Sequence, residues 1–426
     1  MVKFNFWSGN LVLKVSIILA VVLLLVPLVS AQTTVTILRP GTPEKVKSFL
    51  EPAIEEFEKK YPDIKVDPMY LDWTSWISKA PTMWGANEQP DVILWWNFRQ
   101  SEEYAKPRLV PLEKYVDSEL IEKNMYADRA RIDGELYLFP ASVGPITLYW
   151  RRDVFEEAGL DPQRPPQTFE ELFNYLETIK NNTDVYPMGV PAKLHETIVE
   201  FMSAFYYPLA GKEWLDEKNK PTFNTKECIQ ALTYFKDLGP YAYPGAVEYA
   251  REDYRSLLRD RKIAMYYEGP WPVPLFQESF GENLDESPIG IGLTPGVGEG
   301  KPGVTGFDGW VITHEERAEA AGKLISFIAS PEQQFRHDII YGLAPVYLEE
   351  LEKEPFNRFD FWKVFVEGGR NSLPRPGKYH PRPYAVTDIL MEMGQKIWLG
   401  VSTPEKAIEE AVNKIDSLNK GLGIEY

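Results

Sequence analysis

The chain has 426 residues, more than one hydrophobic core comfortably organises, so two domains are expected. Apolar and charged fractions of 44% and 26% are those of a soluble globular protein. A formal net charge of −17 argues against nucleic acid or an anionic membrane surface as partner, and the lone cysteine, Cys228, excludes an internal disulfide.

Lys3 and Lys14 precede an uncharged apolar run over residues 15–29, and Val29-Ser30-Ala31 has the small-residue pattern of a cleavage site. Residues 1–31 therefore read as a secretory signal peptide, which places the mature protein in a periplasm or at a cell surface. An uncleaved anchor is the alternative, and the run falls short of the roughly 20 residues a membrane span needs. No cysteine follows the run, so a lipid anchor of the lipobox kind is not available.

Residues 35–38 are a short apolar strand, and Arg39-Pro40-Gly41-Thr42 turns into a helix with Pro43 at its first position. Val46, Phe49, Leu50, Ala53, Ile54 and Phe57 then recur at the spacing of one helical face. Pro52 lies inside that helix and predicts a kink or a restart. Residues 64–66 and 90–95 begin further strands, giving the strand-helix-strand rhythm of a parallel sheet.

Later helix starts carry capping-box spacing at Thr168 with Glu171, Asn224 with Glu227, Thr313 with Glu316 and Ser330 with Gln333. Pro331 and Pro404 follow Ser330 and Thr403, where a missing N–H is harmless. Cys228, on the helix after Asn224, reads as a packing residue, with a reactive thiol as the alternative.

Residues 251–262 read as a helix and 263–267 as a buried strand, which Gly269 and Pro270 terminate. Trp271 is left beyond a strand end, where open α/β sheets bind ligands. Its flat, electron-rich face complements the C–H face of a pyranose; a Trp folded into the core is the alternative. Glu268, before the turn, suits either a sugar-hydroxyl acceptor or a solvated acid. The Gly- and Pro-rich stretch 287–309 lacks the order of a phosphate loop and the third glycine of a dinucleotide fingerprint, and is expected to be a surface loop crossing between domains.

The histidines His195, His314, His337 and His380 share no metal-ligand spacing with one another or with Cys228, and no nucleophile elbow or zincin motif occurs. No catalytic residue, metal or cofactor is expected on this ground, although a carboxylate pair of the glycosidase kind carries no motif to find. The visible surplus is aromatic, with 12 Trp, 23 Tyr and 22 Phe. Trp73, Trp76, Trp95, Trp96, Trp271 and Trp310 fall beside expected turns.

A series of strings runs along the chain: Tyr61-Pro62-Asp63-Ile64-Lys65-Val66, Pro90-Asp91-Val92-Ile93, Asp133-Gly134-Glu135-Leu136-Tyr137-Leu138-Phe139-Pro140, and the run from Leu148 through Tyr149-Trp150-Arg151-Arg152-Asp153 to Gly159. Thr168-Phe169-Glu170-Glu171-Leu172, Gly269-Pro270-Trp271, Phe327-Ile328-Ala329-Ser330-Pro331-Glu332-Gln333 and Thr403-Pro404-Glu405-Lys406-Ala407 continue it. In this order the strings resemble the extracellular solute-binding proteins of family 1, the maltose-binding-like group that serves ABC importers.

The resemblance implies a two-lobed α/β fold of the type II periplasmic-binding-protein kind, each lobe a sheet flanked by helices. It assigns residues 32–143 and 291–345 to the N-terminal lobe and 144–290 and 346–426 to the C-terminal lobe, with crossings near 141–145, 289–295 and 345–350. It also implies a monomer that closes on a carbohydrate and docks on the membrane permease of an importer. Trp271 matches the family's stacking aromatic, Trp95 or Trp96 an aromatic facing the cleft, and Arg382 a hydroxyl-binding arginine. Asp308-Gly309-Trp310 resembles the family's Gly-Gly-Trp with one glycine replaced. Thr42, Trp73, Asn97, Ser142, Tyr207 and Glu268 complete the expected cleft, and Ala141-Ser142-Val143-Gly144-Pro145 stands where some relatives carry an acid. A receptor for a charged solute, using Arg39, Arg99 and Arg382, and a secreted carbohydrate-active enzyme are the alternatives.

Overall fold

The computed structural model describes Met1, residues 32–96 and residues 99–426. The signal-peptide reading, Met1 apart, and Asn97 lie outside the described residues.

In chain order the strands are β1 (Thr33–Leu38), β2 (Ile64–Met69), β3 (Val92–Trp96), β4 (Arg131–Ile132), β5 (Glu135–Leu136), β6 (Phe139–Pro145), β7 (Thr147–Arg151), β8 (Tyr186–Gly189), β9 (Ile263–Glu268), β10 (Ile289–Leu293), β11 (Gly303–Ile312) and β12 (Ser372–Pro374). A six-stranded sheet runs β12-β11-β3-β1-β2, with β6 on β11, and a four-stranded sheet runs β10-β7-β9-β8. Parallel pairing of β1 with β2 and β3 follows from the helices Pro43–Lys60 and Trp73–Ala86 that connect them, since parallel neighbours need a crossover. The expected face of the first helix, from Val46 to Phe57, is buried as a set. That helix continues through Pro52 without the expected restart.

The chain leaves the first sheet at Pro145 and enters the second at Thr147. Between them the Ile146 N–H donates to the Val304 carbonyl at 2.8 Å, so the outgoing and returning segments lie side by side. The stretch 287–309, expected as a surface loop, instead contains all of β10 and most of β11, with the crossing at 294–302. Two of its glycines serve packing: a Cβ would stand 2.1 Å from the Trp150 ring at Gly290 and 3.2 Å from it at Gly292. Strand β12 pairs with β11, so part of the stretch expected in the second lobe returns to the first sheet.

Two cores result, one holding Val35, Phe49, Trp76, Trp95 and Trp310 and one holding Leu148, Met188, Phe201, Phe205 and Cys228. Cys228 is fully buried, and burial pushes its thiol pKa up, which removes the thiolate that reactivity requires. Thr168 caps its helix through the Glu171 N–H at 3.1 Å. The cap expected at Asn224 is made by Thr225, one residue beyond, and Thr313 donates to the Pro90 carbonyl at 2.6 Å instead of capping. Ser330 holds the N-cap position with no side-chain bond, because Pro331 already fixes that start.

Candidate functional site

Strand β9 ends at Glu268, and the chain turns through Gly269 and Pro270 to Trp271, as the sequence reading expects. The Trp271 ring is half-buried and packs against both cores. An added Cβ would lie 2.3 Å from it at Gly144 and 2.2 Å from it at Gly269, so bare backbone on either side admits the indole. Gly144 belongs to β6 of the first sheet, and the ring therefore spans the junction between the two sheets.

Trp271 lines a cleft of about 620 Å³ that draws on both sides of the molecule. From the first side come Arg39, Thr42, Lys45, Trp73, Trp96, Ser142, Asp308 and Tyr341, and from the second His195, Glu196, Arg251, Glu252 and Arg255. Register explains three of these at once. Asp308 on β11 stands opposite Trp96 on β3 and opposite Ser142 on β6, forming one row across three strands at the cleft floor. Trp73 begins the helix Trp73–Ala86, and its ring centroid is 4.5 Å from that of Trp96.

The other expected positions fall elsewhere. Trp310 is 1% exposed and sits in the core, off the cleft; alternation alone would give it the face of Asp308, and the register of β11 on β6 shifts between Asp308 and Gly309. Trp95 is likewise off the cleft: its ring packs edge-on against Trp76 and Trp84 and lies 5.3 Å, centroid to centroid, from that of Trp96. Trp76 is fully buried. Gly309 fits its place because a Cβ would stand 2.2 Å from the Phe139 carbonyl oxygen, a packing constraint that leaves it off the cleft. Tyr207 is buried, and its hydroxyl donates to the Pro374 carbonyl at 2.8 Å. Arg382 is exposed before the helix Pro383–Trp398, and Arg375 is the late arginine that reaches the cleft.

Glu268 is neither solvated nor available to a ligand. It is fully buried, with Arg251 Nε and Arg255 Nε each 2.8 Å from its carboxylate and the Gly269 N–H donating to Oε1 at 2.8 Å. Two guanidiniums are what make a buried carboxylate tolerable at this position. Arg251 also pairs with Glu200 and with Glu252 at 2.8 Å, and Arg375 meets Glu200 at 2.8 Å. Burial pushes Glu252 up and Arg251 more than reverses it, to about 2. The sequence reading missed this network; the signal lay in Arg251 and Arg255, four apart at the start of a short helix and thus on one face.

The first side carries a second polar group. Arg39 Nε donates to His337 Nε2 at 3.2 Å, its Nη1 donates to the Pro40 carbonyl at 2.9 Å, and its guanidinium carbon lies 3.1 Å from the Tyr341 ring centroid. Burial lowers Arg39 to about 10. Asp308 is pushed up to about 6 by desolvation, against the opposing pull of Arg375 and Arg39. Aromatic faces, hydroxyls and cations matched by nearby carboxylates make a surface suited to a polar solute with apolar faces.

Residues 40–335 match the family model described as bacterial extracellular solute-binding protein. The chain belongs to that family. Among curated relatives, a putative binding protein of Brucella abortus is 23% identical over 387 residues, covering 88% of this chain and 91% of its own length. The sn-glycerol-3-phosphate-binding periplasmic protein UgpB of Pectobacterium atrosepticum is 22% identical over 405 residues, covering 85% and 86%. Among solved structures, an ABC transporter solute-binding protein of Thermotoga lettingae bound to α-D-tagatose is 25% identical with TM-score 0.76, covering 90% of this chain and 99% of its own. The sugar-binding protein MalE of Xanthomonas citri superposes with TM-score 0.77 at 21% identity, covering 92% and 100%. The two-lobed α/β architecture is that of these solute-binding proteins, and the family is one of binding components of ABC importers. Among the described residues no helix is long and apolar enough to cross a membrane.

Proposed function

We propose that this protein is the extracytoplasmic receptor of an ABC importer for a carbohydrate, held in the cleft beneath Trp271 and delivered chemically unchanged to the permease. The observation that carries the reading is the combination of half-buried Trp271 and Trp73 with arginines already matched by carboxylates: Arg251 by Glu200, Glu252 and Glu268, Arg255 by Glu268, and Arg375 by Glu200. A neutral polyhydroxylated solute satisfies such a surface without bringing a charge of its own. The tagatose-, ribitol- and mannitol-bound neighbours support the same class.

Binding would draw the lobes together, a shift in population set by the ligand's differential affinity for the open and closed forms. The lobe boundaries fall at the crossings 145–147 and 293–303, and residues 1–31 direct export to a periplasm or cell surface as a cleaved signal peptide. The receptor acts as a monomer with no catalytic residue.

Native mass spectrometry of protein purified without refolding, followed by titration of mono- and oligosaccharides with tryptophan fluorescence, tests the reading. A co-purified or titrated sugar recovered intact is expected. Silence across the panel rejects the carbohydrate, and release of hydrolysed product rejects the receptor.

A phosphorylated polyol is the second reading, favoured by one feature. Arg39 meets a histidine and a carbonyl where the other cleft arginines meet carboxylates, and Lys45 lines the same wall. The relative UgpB is described as binding sn-glycerol 3-phosphate, so that compound belongs in the same titration; binding of it with no response to neutral sugars would select this reading.

A further inference from the structure

We infer that one proton shared between the buried carboxyls of Asp338 and Glu350 acts through His337 to position Arg39, so that the charge the cleft shows to its ligand depends on pH. The inference rests on the receptor reading and names positioning residues for the same site. Arg39 lines the cleft, whereas His337, Asp338 and Glu350 are buried behind it. A ligand therefore feels these three through Arg39.

The bonds run inward from the cleft, and each fixes the next. A guanidinium N–H can only donate, so the 3.2 Å contact of Arg39 Nε makes His337 Nε2 the acceptor. Burial, with Arg39 and Lys45 nearby, lowers His337 well below its usual range, and the neutral ring then carries its proton on Nδ1. That nitrogen lies 3.1 Å from Asp338 Oδ1 and donates to it. Gln334 does not compete for Nδ1, because its amide hydrogens go to the Ala141 carbonyl at 2.7 Å and to Asp338 Oδ1 at 2.8 Å. Gln334, His337, Asp338 and Tyr341 stand at i, i+3, i+4 and i+7 of the helix Pro331–Tyr341, so one helical face carries the arrangement, including the ring under Arg39.

Asp338 Oδ1 is thus bonded twice, while its Oδ2 and both oxygens of Glu350 are buried with no other donor among the described residues. The two carboxyls hydrogen-bond to each other, and a bond between carboxyl oxygens needs a proton. Desolvation holds both above the usual carboxylate range, and two adjacent buried carboxyls do not both ionise readily. The surrounding charges are few. Lys353 and Glu349 act on Glu350 in opposite senses, Arg39 faces Asp338, and Lys45 and Asp308 face Arg39. The Tyr347 hydroxyl donates to the Ala329 carbonyl at 2.6 Å. Loss of the shared proton sets a second negative charge behind Arg39. An anion approaching from the cleft then gains less, so ligand and proton favour each other's binding.

Long-range nitrogen–proton NMR of the histidine rings, assigned with His337→Gln, tests the relay without a ligand. Between about pH 7 and about pH 9, either side of the Glu350 value of about 8, His337 should stay neutral with its proton on Nδ1, and that signal should move as the pair titrates. Glu350→Gln should abolish the movement. Asp338→Asn should abolish it too while keeping the tautomer, since its carbonyl still accepts from His337 and its amide donates to Glu350. A proton on Nε2, or equal movement in the variants, overturns the inference. Calorimetry over the same range with sn-glycerol 3-phosphate and maltose reads the effect at the cleft. Affinity for the phosphate ester should fall about tenfold as pH rises, that for maltose should fall less, and neither should fall in Glu350→Gln. Affinity of a bound probe that is flat with pH, or that falls equally in the variant, overturns the coupling to the cleft. Failure of both probes to bind counts against the ligand classes of the receptor reading, and the ring signals alone then decide the relay.

Discussion

The guanidinium carbon of Arg251 lies 4.6 Å from the centroid of the Trp271 ring, while its Nε is 2.8 Å from the Glu268 carboxylate. The residue that presents the indole to the cleft is thus held by the same ion network that fills the end of strand β9. A guanidinium over one part of an aromatic face stiffens the ring and leaves the remainder for a ligand. Replacing Trp271 by Ala should weaken sugar binding by about 1–3 kcal/mol, with Phe recovering part of the loss. Dissociation constants from titration calorimetry check this, and equal affinity in the Ala variant would remove Trp271 from the site.

Gly144→Ala places a methyl group 2.3 Å from the same ring, which must then move. Stability should fall by about 1–3 kcal/mol through overpacking, and affinity should fall with it. In the double variant with Trp271→Ala the stability loss from Gly144→Ala should vanish, since the clashing partner is gone. Urea unfolding of the four proteins gives the coupling directly.

Glu268→Gln leaves Arg251 and Arg255 beside a neutral amide in a fully buried place. Removing one partner of a buried ion pair typically costs about 3–5 kcal/mol, much more than an exposed pair is worth. By contrast, Glu55→Gln, which breaks an exposed pair with Lys59, should shift the urea midpoint little. Similar midpoint shifts for the two variants would contradict the network described here.

Desolvation raises Asp308 to about 6 in the folded protein, above the ordinary aspartate value of about 4. The folded state therefore binds more protons than the unfolded state between these values. The stabilisation is fully present below about 4 and is lost as pH rises through about 6. Asp308→Asn should flatten this part of the stability profile. If the ionised carboxylate accepts ligand hydroxyls, affinity in the native protein rises across the same interval and the variant shows no such rise; calorimetry in buffers of different ionisation enthalpy counts the proton released.

Glu350 and Asp338 form a second titrating group away from the cleft floor. Desolvation raises Glu350 to about 8, and Asp338 is held well above the usual carboxylate range by desolvation and by Glu350 itself. The sign is the same: stability is lost as pH rises through about 8. Glu350→Gln should match the native protein at about pH 4 and exceed it increasingly as pH rises from the ordinary carboxylate value towards about 8. Thermal unfolding at a series of pH values follows the divergence.

Much of the fold was legible because its signals are local. The face from Val46 to Phe57, the cap at Thr168 and the strand ending before Gly269 each follow from the period of a helix, a side-chain bond to a nearby N–H, or the loss of an N–H at Pro270. The ordered strings from Tyr61 to Ala407 carried the family, and the turn before Trp271 marked a residue that lines the cleft. Gly290 looked like part of a loop because its packing against Trp150 is a contact between strands that sequence spacing does not reveal.

What the sequence determined by itself was the class of chain, the helix starts and the presence of an indole beyond a strand end. Which of the competing aromatics and arginines reach the cleft was decided only by tertiary structure. Trp95 and Trp96 are neighbours in sequence with rings 5.3 Å apart, yet Trp96 lines the cleft while Trp95 packs on Trp76 and Trp84 of the preceding helix. Arg375 takes the place expected of Arg382, and Glu268 is committed to Arg251 and Arg255. The physical reason is common to all three. A side chain's direction and its charge partners depend on which strands and helices are brought alongside it, and those neighbours lie far away in the chain.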